Sequence, residues 1–455
     1  MPKSVLLINP PVIEEHTLNT QPIPLGVISI AAYLRQKGHF CQIINLCGYN
    51  SWDKVKKKLC TQLEVDYVGI PCFTRQRFSV AKLAKLIKSL NPNLILWLGG
   101  PHVTFLDKAV LREYEFVDCI IRGEGEETAA ALVSNSLSLE QIEGLTFRNE
   151  RGEIVRNQDR EMASPLERFP VPLQSLDELE ELNQSDSLLF HFPVFPWENL
   201  KIAPLISSRG CNGNCSFCCN RAYWGNQRSV NLEFLKAQVE YYYQKGICFF
   251  DCYDDNFTWN RNLVLDFAEY IIREKIAIHW WCSSRADSVD VELLRKMKQA
   301  GCFMVSYGME SGSQIILNNI KKGISVARIL EAAKMAEEVG LNFRVTISIG
   351  HTGETDGTIQ ETIDVLNMMK PKQIALFVLK VYPGTPIYKK MVQAKLLSDD
   401  YWFHKDVPIV PFFTIENSEQ ALIAYRERIE SGLHGAILER YEDELGSVEL
   451  TLDWG

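Results

Sequence analysis

The chain has 455 residues, 46% of them hydrophobic and 23% charged, with a formal net charge of −9. This length exceeds one ordinary core and predicts two or three domains; the acidic balance argues against a nucleic acid as the main partner, and no apolar run reaches the length of a membrane span. Thirteen cysteines, behind an apolar start too short for a signal peptide, predict a cytoplasmic setting with free thiols and metal ligands rather than disulfides.

From the start, apolar strands at 5–8, 40–46, 65–71, 94–98 and 117–121 alternate with helices at 25–37, 52–63, 80–90 and from 127. That order predicts an α/β fold, a Rossmann-like, doubly wound parallel sheet covered on both faces. Ligands of such sheets bind at the carboxyl ends of the strands. Glycines fall there, in Gly99-Gly100-Pro101-His102 and in Arg122-Gly123-Glu124-Gly125-Glu126, and glycine lets backbone approach a ligand closely. No G-x-G-x-x-G follows the first strand, where Asn9-Pro10-Pro11 stands, which argues against a dinucleotide. Residues 144–157 read as a β-hairpin. Pro165, Pro170 and Pro172, followed by an acidic stretch at 177–186, read as a linker. The aromatic run at 191–197 is expected to pack between domains or to wall a substrate cavity.

The alternation then resumes, with strands at 205–208, 247–252, 278–283, 302–307, 343–349 and 374–381 and helices between them. Gly246, Gly301 and Gly340 punctuate three of those helices. Six such units predict a partial (β/α)6 barrel with its chemistry at the carboxyl ends of the strands. Directly after the first of these strands comes Ser207-Ser208-Arg209-Gly210-Cys211-Asn212-Gly213-Asn214-Cys215-Ser216-Phe217-Cys218-Cys219. Cys211, Cys215 and Cys218 form a C-x3-C-x2-C pattern, and compact thiolate sets of this kind bind soft metals or iron–sulfur centres. Three regularly spaced ligands fall short of the four of a closed zinc site; on spacing alone, a zinc knuckle completed by Cys219 stays open.

The other strand ends carry polar groups. Asp254 and Asp255 follow the second, and carboxylates there can receive an ammonium group, with an Asx turn as the alternative. Ser283 and Arg285 close the third, where the guanidinium can meet a ligand carboxylate or an acidic neighbour. Glu310 follows the fourth, His351 the fifth and Tyr382 the sixth. Imidazole exchanges protons near neutral pH, so His351 is a candidate substrate contact or acid–base group beside a plain loop role, and Tyr382 a candidate cavity residue. An aromatic-rich stretch at 399–413 and a charged helix at 421–441 make the C-terminal region small and mainly helical. The expected domains are 1–140, 141–200 (hairpin and linker), 201–395 and 396–455.

The cysteine loop and the strand-end segments, in this order, resemble the radical S-adenosylmethionine (SAM) enzymes. The set Asn9-Pro10-Pro11, Pro24-Leu25-Gly26, Gly99–His102 and Arg122–Glu126 resembles the cobalamin-binding domain fused to many of them. The resemblance implies a [4Fe-4S] cluster on Cys211, Cys215 and Cys218, whose open iron chelates SAM and cleaves it to a 5′-deoxyadenosyl radical. It implies SAM contacts at Phe217, Asp254, Asp255, Ser283, Arg285 and Glu310. It implies cobalamin contacts at Asn9 and Pro10, Leu25 and Gly26, Phe73, Thr74 and Arg75, Gly99, Gly100, Pro101 and His102, and Gly123, Glu124, Gly125 and Glu126. Methylcobalamin would then methylate an unactivated carbon of the substrate. The histidine that ligates cobalt in other cobalamin proteins stands in an Asp-x-His-x-x-Gly motif, and His16 lacks both the Asp and the Gly. Cobalt without a protein histidine is therefore expected, with Arg75 or Phe73 near its lower face. In the family pattern a proline stands where His351 lies.

A cobalamin-type cyclase, rearrangement or oxidation enzyme without methyl transfer is the second reading, and a cofactor-binding sensor or scaffold the non-enzyme one. A methylthiotransferase would need three further cluster cysteines, a pattern that Cys41, Cys47, Cys60, Cys72 and Cys119 do not form. The expected partners are a small-molecule substrate, with a peptide or protein side chain as the alternative, and an electron donor such as flavodoxin or ferredoxin.

Overall fold

The computed structural model describes residues 1–13, 24–172, 201–413 and 415–433, and the backbone of 436–443 and 447–452. His16, the acidic stretch and the aromatic run at 191–197 lie outside the described residues. The chain divides into two units. One comprises Met1–Asn183 with Tyr382–Gly384 and Lys395–Val410; the other comprises Gln184–Val381 with Thr385–Ala394 and Pro411–Gly455.

The first unit is built on seven strands: β1 (Ser4–Asn9), β2 (Phe40–Asn45), β3 (Tyr67–Pro71), β4 (Ile95–Gly99), β5 (Cys119–Ile121), β6 (Leu145–Arg148) and β7 (Ile154–Arg156). Their order is β2-β1-β3-β4-β5-β6-β7. The first five are parallel, and Leu6, Ile8, Val68, Leu96 and Ile120 are fully buried, as a sheet covered on both faces requires. The order reverses at β1, so the carboxyl ends of β1 and β3 flank a topological switch point. The hairpin expected as a connector is part of this sheet: β6 pairs antiparallel with β5, and β7 with β6. It covers the edge that three-residue β5 would otherwise expose. Arg122 ties it down through Thr146, the Asn157 carbonyl (2.7 Å) and Asp159 (2.8 Å).

Residues 395–410, expected within a separate C-terminal region, also belong to this unit. Arg77, at the start of the helix after β3, donates to the carbonyls of Trp402 (2.7 Å), Ile409 (2.7 Å) and Thr74 (3.0 Å). Its guanidinium also lies over the Phe78 and Trp402 rings. A buried cation thus finds carbonyl and aromatic partners, and fully buried Trp402 becomes part of this core.

The second unit holds β8 (Ile202–Leu205), β9 (Ser208–Arg209), β10 (Arg228–Ser229), β11 (Phe249–Cys252), β12 (His279–Ser284), β13 (Cys302–Glu310), β14 (Asn342–Ile349), β15 (Gln373–Val378), β16 (Ala436–Asp443) and β17 (Ser447–Leu452). Its main sheet runs β16-β17-β15-β14-β13-β12-β11-β8, with β8 and β11–β15 all parallel. These six strands form the partial barrel. Side chains alternate along them: Phe250, Cys252, Trp280, Cys282, Val345 and Ile347 are buried beneath the helices, whereas Asp251, Ser283 and Thr346, on the other face, are only half-buried. The inner face is apolar toward the amino ends of the strands, where Trp281 and Met304 pack with Ile202 and Phe249, and polar toward their carboxyl ends. Asn231, Asn260, Asp290, Ser325 and Thr355 each cap the following helix through the side chain. Gly301 closes its helix at φ 92°, where a Cβ would lie 1.9 Å from the Ile278 carbonyl oxygen, so only glycine fits. The last helix ends at Gly432 rather than continuing to 441, and β16 and β17 follow as an antiparallel pair against β15. Gly432 packs so closely on Ile363 that a Cβ would come within 3.0 Å.

Candidate active site

The first barrel strand ends at Leu205, three residues earlier than expected, and the next turn is held by a carboxylate. Asp254, after β11, accepts from the Ser207 amide (3.1 Å), the Ser207 hydroxyl (2.7 Å) and the Ser208 hydroxyl (2.5 Å). Burial raises its pKa to about 6 against the pull of these bonds. Asp254 thus spends its oxygens on the base of the cysteine loop. Its neighbour Asp255 instead reaches open surface, bonded to the Asn220 side chain and raised in pKa by the protein around it. Asn256 ties the next loop in: it accepts from the Arg285 amide (3.1 Å) and Ser288 (3.0 Å), while Gln227 bridges its carbonyl to Ser208.

The cysteine loop itself is clamped by backbone. The Ser216 amide donates to Ile320 (2.9 Å), and the Ser216 carbonyl accepts from Ile387 (3.1 Å). Amides of Gly213 and Asn220 point at the sulfurs of Cys211 (3.3 Å) and Cys218 (3.4 Å). A Cβ on Gly213 would sit 3.2 Å from Arg285 Nη1, 3.4 Å from Cys211 Sγ and 3.8 Å from Cys215 Sγ. Two thiols and a guanidinium therefore meet over a residue without a side chain. Burial raises the Cys215 thiol and pushes Cys218 up to about 12, so a metal must displace their protons. Among the described residues, no three His, Cys, Asp or Glu side chains converge as around a single ion. Three thiols each serving a separate iron of a cluster need no such convergence, and amide donors with a nearby cation suit its negative charge. The residues fit a cluster better than a zinc knuckle. Arg285 has an acidic neighbour, pairing with Asp287 through Nε (2.9 Å) and Nη2 (2.8 Å).

Glu310 ends β13 at φ 68°, beyond a register shift that follows Gly308. A non-glycine residue held there costs about 1–3 kcal/mol, and such bulges re-aim side chains near functional sites. Its carboxylate takes the Lys322 ammonium at 2.8 Å, with both groups buried. A Cβ on Gly308 would lie 2.9 Å from each of the two atoms, so Gly308 makes their room. His351 is 1% exposed, bonds Ser348 through Nε2 (2.7 Å) and packs on the Phe217 ring (5.4 Å between centroids). Burial lowers its pKa to about 4. It is a neutral packing and hydrogen-bonding group here, which fits the plain loop role among its alternatives. Glu354 fixes its loop by accepting from the amides of Gly350 and His351. Tyr382 is half-buried and groups with the first unit.

In the first unit, the expected cobalamin residues collect at the carboxyl edge of β1, β3, β4 and β5, but many polar side chains turn inward. Asn9 donates to Asn45 (2.9 Å), Glu124 accepts from the Ala163 amide (2.9 Å) and Glu126 from Ser29 (2.6 Å). His102 is buried, bonded to Thr74 (3.2 Å) and edge-on to Trp402. Burial holds its pKa down to about 3. It is occupied as a structural histidine rather than poised as a cobalt ligand. Toward the surface this edge presents Phe73, 49% exposed, half-buried Arg75, exposed Gly26 and half-buried Gly99, Gly100 and Gly123. Gly100 sits at φ 95°, where a Cβ would come within 3.0 Å of the Cys72 carbonyl oxygen.

Two family profiles match this layout: the "Radical SAM superfamily" over residues 205–366 and the "B12 binding domain" over residues 16–133. The chain is a cobalamin-dependent radical SAM enzyme. Its cofactors are accordingly SAM, a [4Fe-4S] cluster and cobalamin. It is similar to the "uncharacterized methyltransferase PH0819" of Pyrococcus horikoshii, with 28% identity over 405 residues, covering 88% of this chain and 85% of the relative. It is also similar to the anaerobic magnesium-protoporphyrin IX monomethyl ester cyclase of Rubrivivax gelatinosus, with 25% identity, 81% of this chain and 66% of the relative. The structure of the radical SAM methyltransferase TsrM from Kitasatospora setae, with cobalamin and a [4Fe-4S] cluster bound, shares the fold at a TM-score of 0.70 and 16% identity, covering 87% of this chain and 75% of that one.

For a radical SAM enzyme of this kind, sequence reasoning missed Lys322. It also missed Gln227, Asn256 and Glu354, which position the loops. Lys322 stands in the turn that closes the short helix after Glu310, and its pairing depends on the bulge at Gly308. Among the described residues, no helix is long and apolar enough to cross a membrane.

Proposed function

We propose that this enzyme methylates an unactivated carbon of a small-molecule substrate. In this reading Cys211, Cys215 and Cys218 hold the cluster. Asp255 accepts from the amino group of SAM, Arg285 meets its carboxylate, and Ser283, Phe217 and Glu310 line its place; Asp254 acts through the loop it holds. The edge formed by Phe73–Arg75, Gly99–His102 and Gly123–Glu126 receives cobalamin, largely through backbone and shape. When bound, the cluster supplies the electron that cleaves SAM and cobalamin supplies the methyl group. The chain's own residues orient SAM by charge and exclude competing reactions. An electron donor of the flavodoxin or ferredoxin kind would reduce the cluster.

The observation that carries this reading is the placement of three thiols, Asp255, Arg285 and the Glu310–Lys322 pair after the carboxyl ends of neighbouring barrel strands, in a chain that also matches the cobalamin-binding profile. The methyltransferase name of the Pyrococcus relative supports methyl transfer, and the cyclase name of the Rubrivivax relative supports the second reading. Anaerobically purified protein given SAM and dithionite distinguishes them. Methyl transfer predicts S-adenosylhomocysteine beside 5′-deoxyadenosine, because SAM must also lose its methyl group. 5′-Deoxyadenosine without S-adenosylhomocysteine favours the cyclase or rearrangement reading, and the absence of both overturns the proposal.

A further inference from the structure

The segment after the short helix Gln314–Asn319 does more than link two elements. Its Ile320 carbonyl holds the Ser216 amide of the cysteine loop (2.9 Å), and its Lys322 carbonyl holds Arg285 Nη2 (2.9 Å). Lys321 and Gly323, at φ 55° and 69°, turn the backbone on both sides of Lys322. The Lys322 side chain, 6% exposed, then runs inward to Glu310, over Gly308. Arg285 Nη1 in turn stands with the Cys211 and Cys215 sulfurs around Gly213, so the Lys322 segment is bonded both to the cysteine loop and to the cation beside its thiols.

We infer that Lys322 raises the reduction potential of the cluster, as the cation of a buried ion pair on the segment that clamps the cysteine loop. This inference rests on the cluster assignment proposed above. Gaining an electron makes a thiolate-bound cluster more negative, and a nearby buried cation stabilises that state. The low dielectric around the pair keeps the effect from being screened. Glu310 opposes Lys322 through its own negative charge. Its second role is to hold the ammonium in place, while in the holoenzyme the negative charge of the thiolate-bound cluster keeps that ammonium protonated. Arg285 and Lys322 are thus two cations delivered to the thiols by one backbone clamp.

The test is a mediated dithionite titration of the reconstituted holoenzyme without SAM, followed by electron paramagnetic resonance (EPR), on wild type, Lys322→Met, Lys322→Arg, Glu310→Gln and the surface control Lys298→Met. Iron and sulfide content and the EPR line shape report whether the cluster is intact. Lys322→Met should lower the midpoint potential, Lys322→Arg should stay near wild type, and Glu310→Gln should raise it. Lys298→Met should leave it unchanged. Opposite shifts from the two partners of one ion pair cannot come from a merely structural role. If Lys322→Met fails to assemble a cluster, Glu310→Gln decides: a rise supports the inference, and no change or a fall overturns it. An intact cluster with an unchanged midpoint in Lys322→Met also overturns it. A wild-type protein that assembles no iron–sulfur cluster would instead defeat the cluster assignment itself.

Discussion

The two strand edges solve different recognition problems. At the barrel mouth, ionised side chains stand near the open face: Asp255 is exposed, Arg285 is aimed at the cysteine loop, and the Glu310–Lys322 pair is buried behind it. At the first sheet's edge, Asn9, Glu124, Glu126 and His102 are turned into the protein, and glycine backbone with one exposed phenylalanine remains outward. A small zwitterion such as SAM is recognised by matched charges at fixed distances. A large macrocycle is recognised by a broad surface that does not obstruct it, which is where glycine serves.

Breaking the barrel side should have the larger effects. Changing Cys211, Cys215 or Cys218 to Ala should each abolish 5′-deoxyadenosine formation, measured by chromatography of an anaerobic reaction. Product retained by such a variant would remove the distinction between the edges. Next, Asp255→Asn should weaken SAM binding about tenfold to a hundredfold, the worth of one hydrogen bond to a charged group. Calorimetric titration checks this, and cobalamin content should be unchanged. On the other edge, Gly100→Ala should cost about 1–3 kcal/mol through its positive φ, read as lower cobalamin retention and a lower melting temperature. Iron content should hold. Equal losses of iron and cobalamin would contradict the separation.

The smallest effect concerns pH. Burial raises Glu354 to about 7, so the folded state keeps its proton while the unfolded state has already lost it. Its contribution is fully present below the ordinary glutamate range and is lost as pH rises through about 7. Glu354→Gln keeps an oxygen for the Gly350 and His351 amides but cannot ionise. Its melting temperature should fall less than that of wild type between pH 5 and 7.5; parallel profiles would show that Glu354 does not carry this loss.

Much of this was legible in the sequence because strand–helix alternation and glycine punctuation are local signals. The two parallel sheets and the cysteine loop's position after the first barrel strand follow from them. What was not legible depends on distant partners. The hairpin at 145–156 reads as a connector until β5 is seen to need an edge partner. Residues 395–410 read as a tail until Arg77 is seen to need carbonyls. Asp254 and Asp255 are equivalent by sequence, and only the Ser207–Ser208 turn decides which one is spent on structure. His351 looks reactive as a departure from a family motif, yet burial between Phe217 and Ser348 makes it neutral.

The central claim is that three thiols leave one iron open for SAM beside Asp255 and Arg285. It is tested most directly by EPR of the reduced, reconstituted protein before and after SAM is added. The account predicts a changed signal on addition, because the amino and carboxylate groups of SAM would enter the open position. A cluster signal indifferent to saturating SAM would contradict it.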